Sequence, residues 1–313
     1  MAVLGEAGSA RRVSLGARVL IGRAESCGLR LTDHYVSAEH ASIYWQDGDW
    51  RLRDLASTNG TYVDGKALSV GETVTLRVGQ VLAFGGSQRA PRWSLLHDGP
   101  PQPRAVSLEG AHDCVGSSEM LALPDEEAPE LLISPRDGRW VGERGEDGSA
   151  LAVADHDVVE LPSGSWRLEL PPPAEVVTTA QTIERDSELR SIEALRLRFR
   201  DVAGSQHVDV VAEIATERSR LPPRAYHRLL LRLAQARGQD AAAGLSAQEQ
   251  GWLYADQVAE ELAISRAKLN VDIFRARKQV ADLGVRGAAR VIERRPQTQQ
   301  LRLGISDLVL EEP

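Results

Sequence analysis

Residues 54–63 read Asp54-Leu55-Ala56-Ser57-Thr58-Asn59-Gly60-Thr61-Tyr62-Val63, and two shorter clusters precede them, Ile21-Gly22-Arg23 and Ser37-Ala38-Glu39-His40. Around these clusters the chain is a series of short runs with strand character, at residues 18–21, 41–44, 50–55, 73–76, 81–84 and 93–96. Gly-rich or Asp-Gly corners separate the runs, which predicts an all-β sandwich. The segment Asp98-Gly99-Pro100-Pro101-Gln102-Pro103 cannot continue a strand ladder and reads as a linker, so the first domain is expected over residues 1–98.

Taken in order and with their spacings, the three clusters resemble the signature of forkhead-associated (FHA) domains. The resemblance implies a β-sandwich whose loops at one end present these residues to a phosphothreonine on a partner protein. Such a group brings about −2 charge and three strong acceptor oxygens. By resemblance, Arg23, Ser37 and Thr58 are expected to face the phosphate and Asn59 the peptide backbone beside it. A guanidinium offers a planar fork of donors where a lysine would be a point charge. Gly22 and Gly60 are expected to allow tight loops, and His40 to brace them rather than catalyse. Ala38 and Glu39 depart from the family, which often has a basic or amide residue after the motif serine.

The β segments also look like a repeat. Val13-Ser14-Leu15 recurs as Val106-Ser107-Leu108, Ile21-Gly22 as Val115-Gly116, Asp47-Gly48-Asp49-Trp50 as Asp137-Gly138-Arg139-Trp140, and Trp93-Ser94-Leu95 as Trp166-Arg167-Leu168. A second, smaller FHA-like sandwich is therefore expected over residues 104–171. Aligned this way, Arg23 falls on Ser117, Ser37 near Glu127, His40 near Glu130 and Asn59 near Ser149, so the second copy lacks the phosphate-binding residues. Residues 172–190, which begin within the run Pro171-Pro172-Pro173, read as a linker. If a kinase modifies Thr178, Thr179 or Thr182 there, the first domain could bind it in cis, because a short tether gives an effective concentration near millimolar.

Beyond the linker the periodicity changes to that of helices. Residues 191–306 resemble a winged helix-turn-helix, an α+β domain like the effector domains of response regulators. A hairpin (195–199 with 207–214) leads into a first helix near 224–237. A second helix covers 253–263, and Ser265 is placed to cap a third. On that third helix Leu269, Ile273, Ala276, Val280 and Leu283 form the buried stripe. Lys268, Val271, Phe274, Arg275 and Lys278 lie on the other sides, and Arg294 and Arg295 fall on the first wing strand. These seven residues are the expected contacts to DNA, or to a protein docked in its place. The wing sequence Pro296-Gln297-Thr298-Gln299-Gln300 departs from the usual glycine-rich type.

Charge divides the chain. Residues 1–175 carry 16 basic and 26 acidic side chains and residues 223–304 carry 14 basic and 8 acidic, so the back either meets a polyanion or docks on the acidic part. No apolar run approaches the ~20 residues needed to span a bilayer. Neither a secretory signal nor a cysteine framework is visible, and a cytoplasmic, membrane-free protein is expected. No nucleophile–base pair, metal cluster or nucleotide loop stands out, so neither enzymatic activity nor a cofactor or metal is expected. Two functions remain. The first is a phosphothreonine-dependent transcriptional regulator coupling Ser/Thr kinase signals to DNA. The second is a scaffold in a kinase or secretion pathway.

Overall fold

The computed structural model describes residues 1–86, 91–110, 112–117, 119–173, 190–201, 207–295 and 298–311. The linker threonines Thr178, Thr179 and Thr182, and Pro296 and Gln297 of the wing, lie outside the described residues. The chain divides into two compact units, Met1–Pro103 and Arg104–Pro313.

The described strands of the first unit are β1 (Ala2–Glu6), β2 (Arg12–Ser14), β3 (Arg18–Gly22), β4 (Leu29–Arg30), β5 (Ala41–Gln46), β6 (Asp49–Asp54), β7 (Thr61–Val63), β8 (Lys66–Ala67), β9 (Thr73–Thr75), β10 (Val81–Phe84) and β11 (Arg92–Asp98). They form two sheets, ordered β2-β1-β11-β10-β7-β8 and β4-β3-β5-β6-β9. Alternation puts Ile21, Ile43, Trp50 and Leu52 of one sheet into a common core with Leu4, Leu82, Phe84, Trp93 and Leu95 of the other. The β5–β6 hairpin turns on Asp47 and Gly48, both at positive φ, the backbone that a two-residue hairpin loop demands.

The second unit begins with another sandwich: β12 (Arg104–Ser107), β13 (Cys114–Val115), β14 (Leu121–Leu123), β15 (Leu131–Arg136), β16 (Arg139–Arg144), β17 (Ala150–Val153), β18 (Val158–Leu161) and β19 (Gly164–Glu169). Its sheets are ordered β13-β12-β19-β18 and β14-β15-β16-β17. That is the order of the first sandwich with the strands matching β4, β7 and β8 removed. The Asp-Gly hairpin recurs at Asp137 and Gly138. Trp50 Nε1 donates to the Gly99 carbonyl at 3.1 Å, just past β11, and Trp140 Nε1 donates to the Pro171 carbonyl at 2.7 Å, just past β19.

Sheet order corrects half of the sequence alignment. The tryptophan pairs Trp50/Trp140 and Trp93/Trp166 occupy matching strands. Val106 and Ser107 instead lie on the counterpart of β1 rather than β2, and Val115 on the counterpart of β2 rather than β3. The segment matching the loop after Gly22 is therefore the β14–β15 loop, residues 124–130, rather than the stretch after Gly116.

The rest of the unit consists of β20 (Leu195–Asp201), β21 (Val208–Ile214), β22 (Glu217–Arg220), α1 (His227–Ala242), β23 (Leu253–Tyr254), α2 (Ala255–Glu261), α3 (Arg266–Ala281), β24 (Ile292–Arg295), β25 (Gln300–Leu303) and β26 (Leu308–Glu311), with short 3-10 turns at Ile192–Ala194 and Ala288–Val291. One sheet is ordered β22-β21-β20-β26 and the other β23-β25-β24. Leu229, Leu230 and Leu233 of α1 share a core with Leu269, Ile273, Ala276 and Val280 of α3. Ser265 caps α3 by accepting the Lys268 amide at 3.1 Å. Helix α1 extends to Ala242, where the sequence suggests a loop from Gly238.

Sequence reasoning separates residues 104–171 from 191–306, whereas the structure packs their described parts into one unit. Glu143 of β16 is the joint. It is buried and takes Arg277 of α3 at 3.1 and 3.2 Å, Arg294 of β24 at 3.3 Å, and Arg136 of β15. Burial alone would raise the pKa of this carboxyl, but the three guanidiniums outweigh that and hold it at about 2. Burial likewise lowers Arg294 to about 10, which leaves it charged at neutral pH. Glu143→Gln leaves buried cations without an anion and is expected to destabilise the second unit by about 3–5 kcal/mol, read from denaturant melting. A cost under about 1 kcal/mol would show that the arginines find other partners.

Candidate functional site

Three loops of the first unit meet where β3 and β6 end and β5 begins. The first leaves β3 at Gly22, whose missing side chain is a steric requirement: a Cβ there would lie 2.1 Å from the Ala38 carbonyl oxygen. The two loops are then laced by backbone bonds, Arg23 N to Ser37 O at 2.9 Å and Ala24 N to Ala38 O at 3.0 Å. Arg23 is exposed, with Nε 3.4 Å from the Val36 carbonyl, and no carboxylate among the described residues lies within ion-pairing distance of it. Its charge is free for a ligand.

Ser37 Oγ accepts the Thr58 amide at 3.1 Å and donates toward Thr58 Oγ1 at 3.4 Å, which joins the second loop to the third. Asn59 Nδ2 donates to the Tyr35 carbonyl at 2.9 Å. Arg23, Ser37, Thr58 and Asn59 thus lie along one connected rim, with Thr58 and Asn59 exposed and Ser37 half-buried.

Two buried groups hold that rim. His40 is fully buried; its Nδ1 accepts the Ser37 amide at 3.1 Å and its Nε2 lies 3.1 Å from the Gly60 carbonyl. Both bonds form together only in the neutral ring carrying its proton on Nε2. Burial lowers the His40 pKa below 6.5, against the Gly60 carbonyl and Asp54, which raise it. Asp54 accepts from the Ser57 amide at 3.0 Å and from the Ser57 and Thr61 hydroxyls at 2.6 Å each. Burial by itself would raise the Asp54 pKa, but those bonds prevail and lower it. Gly60, at φ +82°, then carries the chain into β7.

Residues 19–85 match the FHA domain family model. The chain carries an FHA domain. Over 54 residues it is 50% identical to the FHA domain-containing protein FhaB of Mycolicibacterium smegmatis, a match covering 17% of this chain and 35% of that protein. A match to FhaB of Mycobacterium tuberculosis is 52% identical over 46 residues, 15% of this chain and 30% of that one. The chain therefore spans about a third of the length of these curated relatives. A solved FHA domain, from a study of phosphothreonine-dependent FHA interactions, is 30% identical with a TM-score of 0.28, covering 32% of this chain and 97% of that one. Mycobacterium tuberculosis EmbR in complex with a low-affinity phosphopeptide is 25% identical with a TM-score of 0.28, covering 32% of this chain and 25% of that one.

The FHA unit is not acidic, although the sequence reading assigns acidity to the whole front of the chain. Residues 1–103 carry 11 basic and 10 acidic side chains, whereas residues 104–171 carry 5 basic and 15 acidic. Glu39, exposed at the rim, is a local departure in a nearly neutral unit. Asp54 and Ser57 as braces, and the Tyr35 carbonyl as the anchor of Asn59, are the parts that sequence reasoning passed over. The acceptor–donor spacing of Asp54, Ser57 and Thr61 was the available signal.

The seven residues expected to meet DNA or a partner lie in the second unit and fall into two groups. Phe274, Arg275, Lys278 and Arg294 face the second sandwich, and Val271 is buried as well. Phe274 packs with Met120, Ala122, Leu132 and Ala289. Arg275 pairs with Glu127 at 2.7 Å and Lys278 with Glu126 at 2.7 Å. Asn270 Nδ2 donates to the Gly145 carbonyl at 2.6 Å, and Arg294 donates to Asn270 Oδ1 at 2.6 Å. Lys268 and Arg295 stand apart from these contacts: Lys268 pairs with Asp272, and Arg295 stacks on Trp252 with its guanidinium carbon 4.2 Å from the ring centroid. Val271 and Phe274 were expected on an outward face. Phe274 is buried instead because the outer face of β14 and β15 covers that side of α3.

The brace makes a pH prediction. Because the folded His40 pKa lies below 6.5, the neutral ring stabilises the loops above that pH and the contribution is lost as pH falls through the folded value. Imidazole NMR of the ligand-free protein should show His40 in the Nε2–H tautomer with a midpoint below 6.5; a midpoint above it would contradict the brace. Gly22→Ala should cost about 2–3 kcal/mol in thermal or urea melting of the FHA unit, because the obstructing atom is backbone.

Proposed function

We propose that this chain is a phosphothreonine-dependent signalling protein. Its FHA loops capture a modified threonine on a partner protein, such as a Ser/Thr kinase or its substrate. The observation that carries the reading is the rim itself: one unpaired guanidinium beside two hydroxyls and an amide, on loops fixed from beneath by His40 and Asp54. In the proposed assignment Arg23 and Ser37 bind the phosphate with help from Thr58, and Asn59 holds the peptide backbone. Gly22, His40 and Gly60 support the loops. An FHA domain is a phosphopeptide-binding module rather than a catalytic one.

We read the second sandwich as a degenerate FHA-like domain, supported by its sheet order and its tryptophan anchor. We read the remainder as a winged helix, supported by the succession α1, β23, α2, α3, β24, β25 with β23 paired to the β24–β25 hairpin. A winged helix suggests output to duplex DNA, and hence regulation of transcription. The covered flank of α3 favours a second reading, in which that part is a protein-binding body of a scaffold. Capture of a phosphorylated linker threonine by the FHA site stays with the first reading as a way of regulating it.

Charge-assisted bonds to phosphate contribute roughly 1.5–3 kcal/mol each. Arg23→Ala is therefore expected to weaken binding of a phosphothreonine peptide about a hundredfold by calorimetry. Equal affinity of the wild-type protein for the phosphorylated and plain peptides would overturn the proposal.

A further inference from the structure

We infer that the second sandwich is a releasable cap, holding shut a face of helix α3 built for a polyanion of the duplex nucleic acid type. The inference rests on the winged-helix reading above and extends it. Its first support is the placement of charge. The acidic surplus of the chain lies in residues 104–171, with 15 acidic against 5 basic side chains. Three of those carboxylates meet cations of the helical part. Glu127 holds Arg275, Glu126 holds Lys278, and Glu143 holds Arg277 and Arg294. To a guanidinium or an ammonium, a carboxylate and a phosphate ester present the same chemistry, anionic oxygens that accept charge-assisted bonds.

The second support is which end of the sandwich does this. In the FHA unit the candidate phosphate rim is built from the segment between β3 and β5 and the loop after β6. Their counterparts by sheet order are the β14–β15 loop, which carries Glu126 and Glu127, and the loop after β16, which supplies the Gly145 carbonyl to Asn270. The end that faces a phosphate in the first sandwich, on the proposed reading, has in the second the opposite charge and holds a basic helix.

The contacts around Phe274 are of a kind that can be exchanged, whereas the buried Glu143 cluster is the fixed side of the joint. The Glu127 side chain is 81% exposed and that of Glu126 46%, so these pairs are solvated and weak singly. The apolar part is small, Phe274 and Ala289 against Met120, Ala122 and Leu132. Leu132 lies on the outer face of β15, whereas its neighbours Leu131 and Ile133 belong to the core of the sandwich. An opening substitution at Leu132 therefore leaves that core intact.

The test uses the full chain carrying Leu132→Asp, Glu126→Gln and Glu127→Gln, a combination that adds no cation. Radical footprinting at Met120 and Phe274 reports whether the face has opened, and binding to random duplex DNA is measured across a salt series. The expected result is open footprints with DNA affinity at least about tenfold above wild type. Adding Arg275→Ala and Lys278→Ala should then lower the magnitude of the salt slope by roughly two. Equal affinity of wild type and the opened chain overturns the cap while leaving the winged-helix reading in place. An opened chain without DNA affinity overturns the polyanion and favours a protein at this face. Footprints that stay protected, or a gain indifferent to Arg275 and Lys278, also overturn the inference. Phosphopeptide binding should be unchanged in every variant, which separates these outcomes from a failure of the FHA assignment.

Discussion

A single buried imidazole sets the geometry on which the candidate recognition site depends. His40 accepts a hydrogen bond from the backbone of one loop and donates one to the backbone of another, so neither loop moves without breaking a bond inside the sandwich. Asp54 does the same within the third loop, gathering Ser57 and Thr61 around one carboxylate. These buried bonds add to those that Ser37 and Asn59 make between the loops at the rim itself. Arg23 is left with a charge that no carboxylate among the described residues neutralises, and preorganised donors of this kind lose little entropy when a ligand arrives.

On the proposed reading, the second sandwich is the same scaffold without that brace. Its strand order, its Asp-Gly hairpin and its tryptophan bond to the chain just past the last strand all repeat the first. The loops at the corresponding end carry carboxylates in place of the arginine and the hydroxyls. Glu143 anchors the contact because desolvation forces a strong arrangement: one buried anion is tolerable only with guanidiniums around it, and three are present. The outer pairs at Glu126 and Glu127 are solvated and add direction rather than stability.

Much of the FHA unit was legible in the sequence because its chemistry lies in contiguous clusters. Ile21-Gly22-Arg23, Ser37 to His40 and Asp54 to Val63 each keep their spacing within one loop, and the rim follows from them. The two- and three-residue strands β2, β4, β7 and β8 left a weak imprint, since alternation needs more residues to declare itself. In the proposed repeat, sequence and sheet order agree at the tryptophans, where a large buried side chain fixes the register. It was misaligned at Val106 and Val115, where Val-Ser and Val-Gly recur cheaply. The fate of Phe274 could not be read from α3 alone. Helical periodicity identifies the stripe against the helical core, but the second buried flank depends on Met120, Ala122 and Leu132, more than a hundred residues away in sequence.

The central claim concerns where a phosphorylated threonine lands. Backbone and side-chain NMR of the protein, titrated with a phosphothreonine peptide and with its unmodified twin, tests it most directly. The account predicts saturable shifts at Arg23, Ser37, Thr58 and Asn59, with the guanidinium of Arg23 among the most affected, for the phosphorylated peptide alone. Equivalent shifts with the plain peptide, or shifts gathered elsewhere while the rim stays silent, would contradict it.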